Sequence, residues 1–266
     1  MAEMRTLQEH MTATLCCVAQ KPWNALVSRG LNDAGHFMIS IVIPALNAER
    51  TLVPTLAALV SGATEGIVSD VVLSDGGSSD ETRMIADEAG CTIVTGPRGR
   101  GGQIRRGIEA AKGDWILVLH ADTQLGDGWE RDVATFIERE RMRENGPRAA
   151  AFAFRLRETG WKAVLLERIV ALRCLILALP YGDQGLLIPR SLYRQVGGYS
   201  DIPLMEDVDI VRKIGRSRLV MLRTPAETSA ERYRRDGYFM RMLRNVTCLT
   251  LYFMRVSPQT ISRLYG

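Results

Sequence analysis

The sequence predicts an α/β fold: a mostly parallel central sheet flanked by helices, in a single domain with a C-terminal helical region. Three observations carry this. From Met38 onward, short β-branched apolar runs alternate with amphipathic segments, the pattern of parallel strands separated by covering helices. The fourth run, Trp115-Ile116-Leu117-Val118-Leu119, is apolar at every position and so belongs at the centre of a sheet covered on both faces. A chain of 266 residues, 46% of them apolar, is long enough to bury such a core as one unit.

Ile39-Ser40-Ile41-Val42-Ile43 reads as the first strand, stopped by Pro44. Asn47 or a neighbour is expected to cap the next helix, in which Leu52, Leu56, Leu59 and Val60 form one apolar face. A second strand at 70–74 runs into Asp75-Gly76-Gly77-Ser78-Ser79-Asp80. A helix then begins, with Ser79 or its neighbour as candidate cap and Asp80 and Glu81 in its first turn. The third strand, 91–95, empties into the basic glycine loop 96–102, and a helix continues to about Lys112. The fourth strand ends at His120-Ala121-Asp122-Thr123.

Beyond that point the spacing is irregular. Helices are expected near 128–141, 161–179, 206–214 and from about 234, and strands at 149–156, 185–188 and 219–222. The contrast predicts a nucleotide-binding half, 38–125, and an acceptor half, 126–225, within one domain, 38–225. A basic amphipathic region, 226–266, follows. Residues 1–37 carry no sustained periodicity and read as a peripheral N-terminal extension or an over-long start assignment.

The five cysteines form no CxxC pair and, with three histidines, no zinc-site spacing, which fits a reduced, cytoplasmic compartment. No apolar run approaches the roughly 20 residues of a membrane span, because Arg168 and Arg173 interrupt the stretch near 164–180. Met11 to Ala19 is mildly apolar but preceded by Glu3 and Glu9, a poor export signal. The net charge of +4 is concentrated in the last quarter, where eleven arginines and lysines between Arg212 and Arg255 suit a solvated face, an anionic diphosphate or an anionic membrane surface. No nucleic-acid partner is expected.

In an open parallel sheet, ligands bind where loops leave the carboxyl ends of the strands. Asp75, the glycine loop and Asp122 all fall there. Asp75 and Asp80 flank a turn of small residues that admits a base or ribose to the backbone, although turn and cap chemistry explains them too. Arg98, Arg100 and the amides around them suit a phosphate, or form a solvated turn. His120 and Asp122, two apart at a strand end, point the same way in an extended chain and could hold Mg²⁺ or Mn²⁺ while a diphosphate supplies further oxygens. A histidine satisfied by the backbone is the alternative for His120. Glu206, Asp207 and Asp209 crowd one helix start, where acids favour the dipole and where neighbouring acids also suit base catalysis.

Four stretches together resemble the inverting family-2 glycosyltransferases of GT-A fold: Ile41-Val42-Ile43-Pro44-Ala45-Leu46-Asn47-Ala48-Glu49, Asp75-Gly76-Gly77-Ser78-Ser79-Asp80, Leu119-His120-Ala121-Asp122-Thr123 and Met205-Glu206-Asp207. Gly182-Asp183-Gln184 and the loop with Arg100 and Gln103 are similar to a bacterial subgroup of that family. The resemblance implies a GT-A domain, with a mixed, mostly parallel sheet, that uses a nucleotide-sugar donor and an acceptor hydroxyl; a lipid-linked acceptor is an expectation tied to the C-terminal helical region. It implies that Pro44, Ala45, Asn47, Glu49 and Asp75 line the nucleotide pocket, with Asp80, Arg98, Arg100, Gln103, Asp183 and Gln184 around the donor. Asp122 becomes the metal-binding acid, with His120 in place of the first aspartate of the DxD motif. Asp207 becomes the catalytic base, with Glu206 beside it.

Three other classes compete. A nicotinamide oxidoreductase needs GxGxxG after the first strand, where this chain has Pro44-Ala45-Leu46-Asn47. A sugar nucleotidyltransferase would place its glycine-rich, arginine-containing loop at the same point. A membrane-surface protein remains compatible, because Tyr238, Phe239, Met242, Leu243 and Val246 interleave with Arg241, Arg244 and Arg255 as an interfacial helix requires, or as a helix packed on the core would. A peripheral place on the inner face of the membrane is the corresponding expectation.

Overall fold

The computed structural model describes residues 37–265, so all but the last residue of the expected N-terminal extension lies outside the described residues. The first half runs β1 (Ile39–Ala45), α1 (Glu49–Ala57), α2 (Val60–Thr64), β2 (Val68–Asp75), α3 (Thr82–Glu88), β3 (Thr92–Thr95), α4 (Arg100–Ala110) and β4 (Trp115–Val118). The second half runs β5 (Thr123–Leu125), α5 (Trp129–Arg141), β6 (Ala149–Leu156), α6 (Trp161–Leu177), β7 (Leu186–Pro189), α7 (Arg190–Gln195), α8 (Glu206–Ile214) and β8 (Leu219–Thr228). Three helices close the described chain: α9 (Glu231–Asp236), α10 (Tyr238–Phe253) and α11 (Pro258–Tyr265).

The strands form one sheet in the order β3-β2-β1-β4-β7-β6-β8-β5. β1 pairs in parallel with β2 and β4, and β2 with β3. β7 enters antiparallel between β4 and β6, β6 and β8 pair in parallel, and β5 closes the far edge antiparallel to β8. The sheet is therefore mixed and mostly parallel, an α/β arrangement whose parallel part, β1 to β4, is the one that the alternating runs predict.

Strand alternation divides the core into two layers. Ile39, Ile41, Ile43, Leu117 and Leu119 face one side, with Leu52, Leu56, Leu59, Trp129 and Phe136 from α1, the turn before α2, and α5. Val42, Ile116 and Val118 face the other, with Ile104 and Ile108 of α4, Val208 and Val211 of α8, and Cys248 and Ile261 from the C-terminal helices. β4 is buried along its whole length, as its unbroken apolar run requires.

Several boundaries differ from the expectations. β1 continues through Pro44 to Ala45, because its ladder with β4 ends at Val42 while that with β2 runs on to Ala45, so the missing proline donor falls where β1 is paired on one side only. Asn47 does not cap α1. It sits at φ 50 and its side-chain carbonyl accepts from Ser79 N at 3.0 Å. α3 starts at Thr82 rather than at Ser79, since Asp80 Oδ1 takes the Thr82 amide and hydroxyl at 3.1 and 2.6 Å and holds the preceding residues in a turn. β8 is ten residues long and runs through residue 225, where the expected domain limit falls. β5 and α7 carry no periodic pattern and were not anticipated by the spacing.

α4 lies close against the sheet because small residues line its contact face. A Cβ on Gly107 would stand 2.4 Å from Val42 Cγ1, and one on Gly101 would stand 2.2 Å from the backbone oxygen of Ser200. Gly101→Ala should therefore cost about 1–3 kcal/mol of unfolding free energy, because backbone cannot yield as a flexible side chain can. Urea denaturation checks this; an unchanged midpoint would show that the α4 approach is not tight.

Candidate active site

The carboxyl ends of β1, β3 and β4 lie at one edge of the sheet, and the residues at and beyond them build the first of two adjoining compartments. Pro44, Ala45 and Asn47 after β1, Arg98, Arg100 and Gln103 at the start of α4, and His120 and Asp122 after β4 all line it. The second compartment is lined by Tyr181, Gly182 and Asp183, by Met205 and Asp207 at the start of α8, and by Tyr233, Arg241 and Asn245 from α9 and α10. Arg100, His120, Asp122 and Ser229 belong to both, so the compartments meet there.

His120 and Asp122 reach this shared wall by a turn rather than by strand alternation. β4 stops at Val118, the Thr123 amide donates to His120 O at 3.2 Å, and buried Ala121 between them is held by Thr55 Oγ1 donating to its carbonyl at 3.0 Å. Gly182 packs against them from the other half. A Cβ there would lie 2.5 Å from His120 Nε2 and 3.4 Å from Asp207 Oδ2. A side chain at 182 would have to push the His120 ring aside, so glycine lets His120 and the helix-start Asp207 approach the same point.

The acids at the start of α8 have separate surroundings. Asp207 Oδ2 accepts from the Gly182 amide at 2.8 Å, and the residue lines the second compartment. Glu206 is buried, with Oε1 3.1 Å from Arg100 Nη1 and Oε2 without a hydrogen-bond partner. Burial pushes its pKa up to about 7; Arg100 opposes this and the charge of Asp207 adds to it. Asp209 faces away. Burial would raise its pKa, yet Lys213 at 2.8 Å, Ser200 at 2.6 Å and Tyr252 at 3.1 Å hold it below the ordinary value. Met205, which presents this turn, has φ 67, and Asn47 on the opposite compartment has φ 50. Both are conformations that cost energy for residues with a Cβ, and both border the site.

Asp183 sits in the second compartment with Oδ1 buried and without a hydrogen-bond partner. Burial pushes its pKa up to about 6, Arg173 opposes, and the charges of Asp207 and Asp122 push further. The charges of Asp207 and Asp122 thus both reach Asp183.

Other anticipated residues serve the frame. Asp75 is fully buried, and its carboxylate accepts from the Gly77 and Ser78 amides at 3.0–3.2 Å. Asp80 Oδ2 accepts from the Glu49 amide at 3.1 Å, while Glu49 Oε2 accepts from the Glu81 amide at 3.3 Å, so Glu49 and Asp80 clasp the starts of α1 and α3. Gln103 Nε2 donates to Ala45 O at 2.7 Å and to Ser74 O at 3.0 Å, tying the ends of β1 and β2. Gln184 is buried behind the site. Its carbonyl accepts from Arg173 and the Tyr181 amide, and its amide donates to Phe152 O. Tyr233 and Asn245 gave no signal in the sequence, and Arg241 was visible only as one member of a basic run; α10 brings it to the site, bonded to Asp236 at 2.9 Å.

Glu206 supplies a pH test. An acid whose pKa is about 7 when folded and 4.5 ordinarily binds its proton more tightly in the folded chain. Its contribution to stability is complete below the lower value and lost as pH rises through the higher one. Glu206→Gln, which cannot ionise, should therefore gain stability relative to the wild type between about pH 5 and about pH 8. Unfolding midpoints that keep a constant difference over that range would contradict the assignment.

Residues 40–148 match the family described as Glycosyl transferase family 2. Glucosyl-3-phosphoglycerate synthase of Mycobacterium tuberculosis is 29% identical over 93 residues, covering 32% of this chain and 28% of that protein. Undecaprenyl-phosphate 4-deoxy-4-formamido-L-arabinose transferase of Aeromonas hydrophila is 33% identical over 104 residues, covering 35% of this chain and 32% of that protein. The matches thus span about a third or less of these relatives. Among solved structures, the M. tuberculosis synthase with Mn²⁺ and uridine-diphosphate-glucose superimposes with a TM-score of 0.50 at 19% identity, over 78% of this chain and 72% of that one. Residues 1–349 of TarS from S. aureus superimpose with a TM-score of 0.53 at 14% identity, over 86% and 69%. The fold is shared with GT-A glycosyltransferases.

Proposed function

We propose that this protein, whose residues 40–148 match glycosyl transferase family 2, is an enzyme that moves a sugar from a nucleoside-diphosphate sugar to an acceptor hydroxyl with inversion. The observation that carries the reading is the meeting of two compartments at Arg100, His120 and Asp122. A transferase needs a donor space and an acceptor space that share the point of reaction.

The donor would occupy the compartment at the ends of β1, β3 and β4. Pro44, Ala45 and Asn47 offer backbone and small side chains to the nucleoside, with Asp75 fixing the floor of that turn, and Arg98 and the α4 start face the diphosphate. Among the described residues, no cluster of three or more His, Cys, Asp or Glu side chains is arranged to hold a metal ion by itself. Asp122, with His120, fits a Mn²⁺ or Mg²⁺ that takes its other oxygens from the diphosphate, and the M. tuberculosis synthase was crystallised with Mn²⁺ and uridine-diphosphate-glucose. Bound there, the cation would offset charge on the departing diphosphate. Arg100 assists from the shared wall while paired with Glu206.

Asp207 is the general base of this reading. The Gly182 amide orients one of its carboxylate oxygens, and an acceptor hydroxyl in the second compartment gives its proton to that group as it attacks the anomeric carbon from the face opposite the diphosphate. An α-linked donor then gives a β-linked product. Asp183 and Glu206 surround the base with negative charge that a donor-bound cation relieves.

Two measurements test the proposal. A thermal-shift panel of nucleoside diphosphates and nucleotide sugars should show stabilisation only when a divalent cation and a diphosphate are present together; no response to any nucleotide would refute the reading. Asp207→Asn should keep that response and lose about 10²–10⁴-fold in transfer, whereas retained turnover would remove Asp207 as the base.

A further inference from the structure

The apolar surface of this protein is concentrated on two neighbouring helices. On α6, Trp161, Leu165, Ile169, Leu172 and Ile176 recur at helical spacing along one exposed stripe, with Trp161 73% exposed; Leu175 borders it. On α10, Phe239, Leu243, Val246 and Phe253 form a second stripe, with Phe239 74% exposed. The helices share a small core in which Tyr238 and Met242 of α10 pack against Ala163, Leu166 and Val170 of α6. No described helix is long and apolar enough to cross a membrane, so this surface can lie on a bilayer but not span it.

We propose that α6 and α10 together dock on an anionic lipid bilayer. Charge selects this occupant. The exposed side of α6 carries Lys162 and Arg168, while its one acid, Glu167, turns inward and accepts from the Leu156 amide at 3.0 Å. Arg216 sits at the end of α6, donating to Leu175 O and Ile176 O. From Gly237 to Gly266 the chain contains four arginines and no aspartate or glutamate; Arg241 is buried toward the compartment and paired with Asp236, which leaves Arg244, Arg255 and Arg263 for the border. Apolar stripes with a cationic border match the lipid–water boundary of a negatively charged membrane. A second copy fits poorly, because an isologous contact would set Lys162, Arg168 and Arg216 against their own kind, while the neighbouring Asp236 is already paired with Arg235, Arg241 and Arg244. Residues 1–36 join the described chain at Phe37, at the amino end of β1, the sheet edge away from the compartments that α10 walls.

Docking has a consequence for the acceptor, and here the inference rests on the transferase reading. The helix that presents Phe239 and Val246 also supplies Arg241 and Asn245 to the compartment of Asp207. A bilayer against α10 therefore lies about one helix diameter, roughly 10 Å, from the base, within reach of a hydroxyl borne by a membrane lipid.

Flotation of the full chain with unilamellar vesicles tests the proposal, using phosphatidylcholine alone and phosphatidylcholine mixed with phosphatidylglycerol. The protein should float with the anionic vesicles, less so as salt is added, and Leu172→Glu combined with Val246→Glu should weaken flotation about tenfold or more. The double variant should keep its unfolding midpoint, since both side chains are already exposed. Failure to float, flotation unaffected by the double substitution, or equal binding to both vesicle types would overturn the proposal. A concentration-dependent doubling of mass abolished by the same substitutions would overturn it in favour of a second copy. Diphosphate-dependent thermal stabilisation, read on the same preparations, separates the two claims: floating protein that binds no nucleotide contradicts the transferase reading alone.

Discussion

The arrangement depends on the pairing of β4, a strand of four buried residues that is parallel to β1 on one side and antiparallel to β7 on the other. Everything before it follows the regular strand–helix alternation of a nucleotide-binding sheet. Everything after it belongs to the half that bears Asp207. Because β4 is the seam, the turn that leaves it necessarily lies between the two compartments, and His120 and Asp122 are on that turn. Burial on both faces fixes the strand's register, since a one-residue slip would exchange Ile116 and Val118 with Leu117 across the sheet.

The halves are then clasped at the site by few contacts of high consequence. Arg100, the first residue of α4, pairs with Glu206, the first residue of α8, and the Gly182 amide holds Asp207 beside His120. Each places charge where burial makes charge expensive: Glu206 and Asp183 both have pKa values pushed upward, and each keeps a buried oxygen without a partner. A concentration of buried acids with raised pKa values is unusual for a structural core and is the kind of perturbation that gathers at functional sites. The left-handed backbone at Asn47 and Met205 belongs to the same pattern, with local cost accepted at the two rims of the cavity.

Much of this was legible in the sequence, and the limits have physical causes. Period-two and period-3.6 patterns gave the alternation from Ile39 to Val118 because each element there buries one well-defined face. They did not reveal that β7 inserts antiparallel beside β4, or that β5 pairs with β8, because strand order is set by contacts between residues far apart in the chain. At the site, the rule that ligands gather at strand ends located Asp122 and the α4 loop. It could not say which polar side chains face a ligand and which satisfy the protein. Asp75, Gln103 and Gln184 all spend their hydrogen-bonding capacity on backbone or neighbouring side chains, a division that only three-dimensional placement reveals. Tyr233 and Asn245 were invisible for a related reason: they sit on helices whose spacing reports burial against α6, not the compartment on their other side.

The most direct test of the central claim, that a diphosphate and a divalent cation meet at the β4 turn, is electron paramagnetic resonance of Mn²⁺ titrated with the protein. The account predicts that the signal of hydrated Mn²⁺ falls when protein and a nucleoside diphosphate are both present, beyond the loss caused by the nucleotide alone, and that Asp122→Ala abolishes this extra loss. Tight binding of Mn²⁺ without any diphosphate, or binding unchanged by Asp122→Ala, would contradict it.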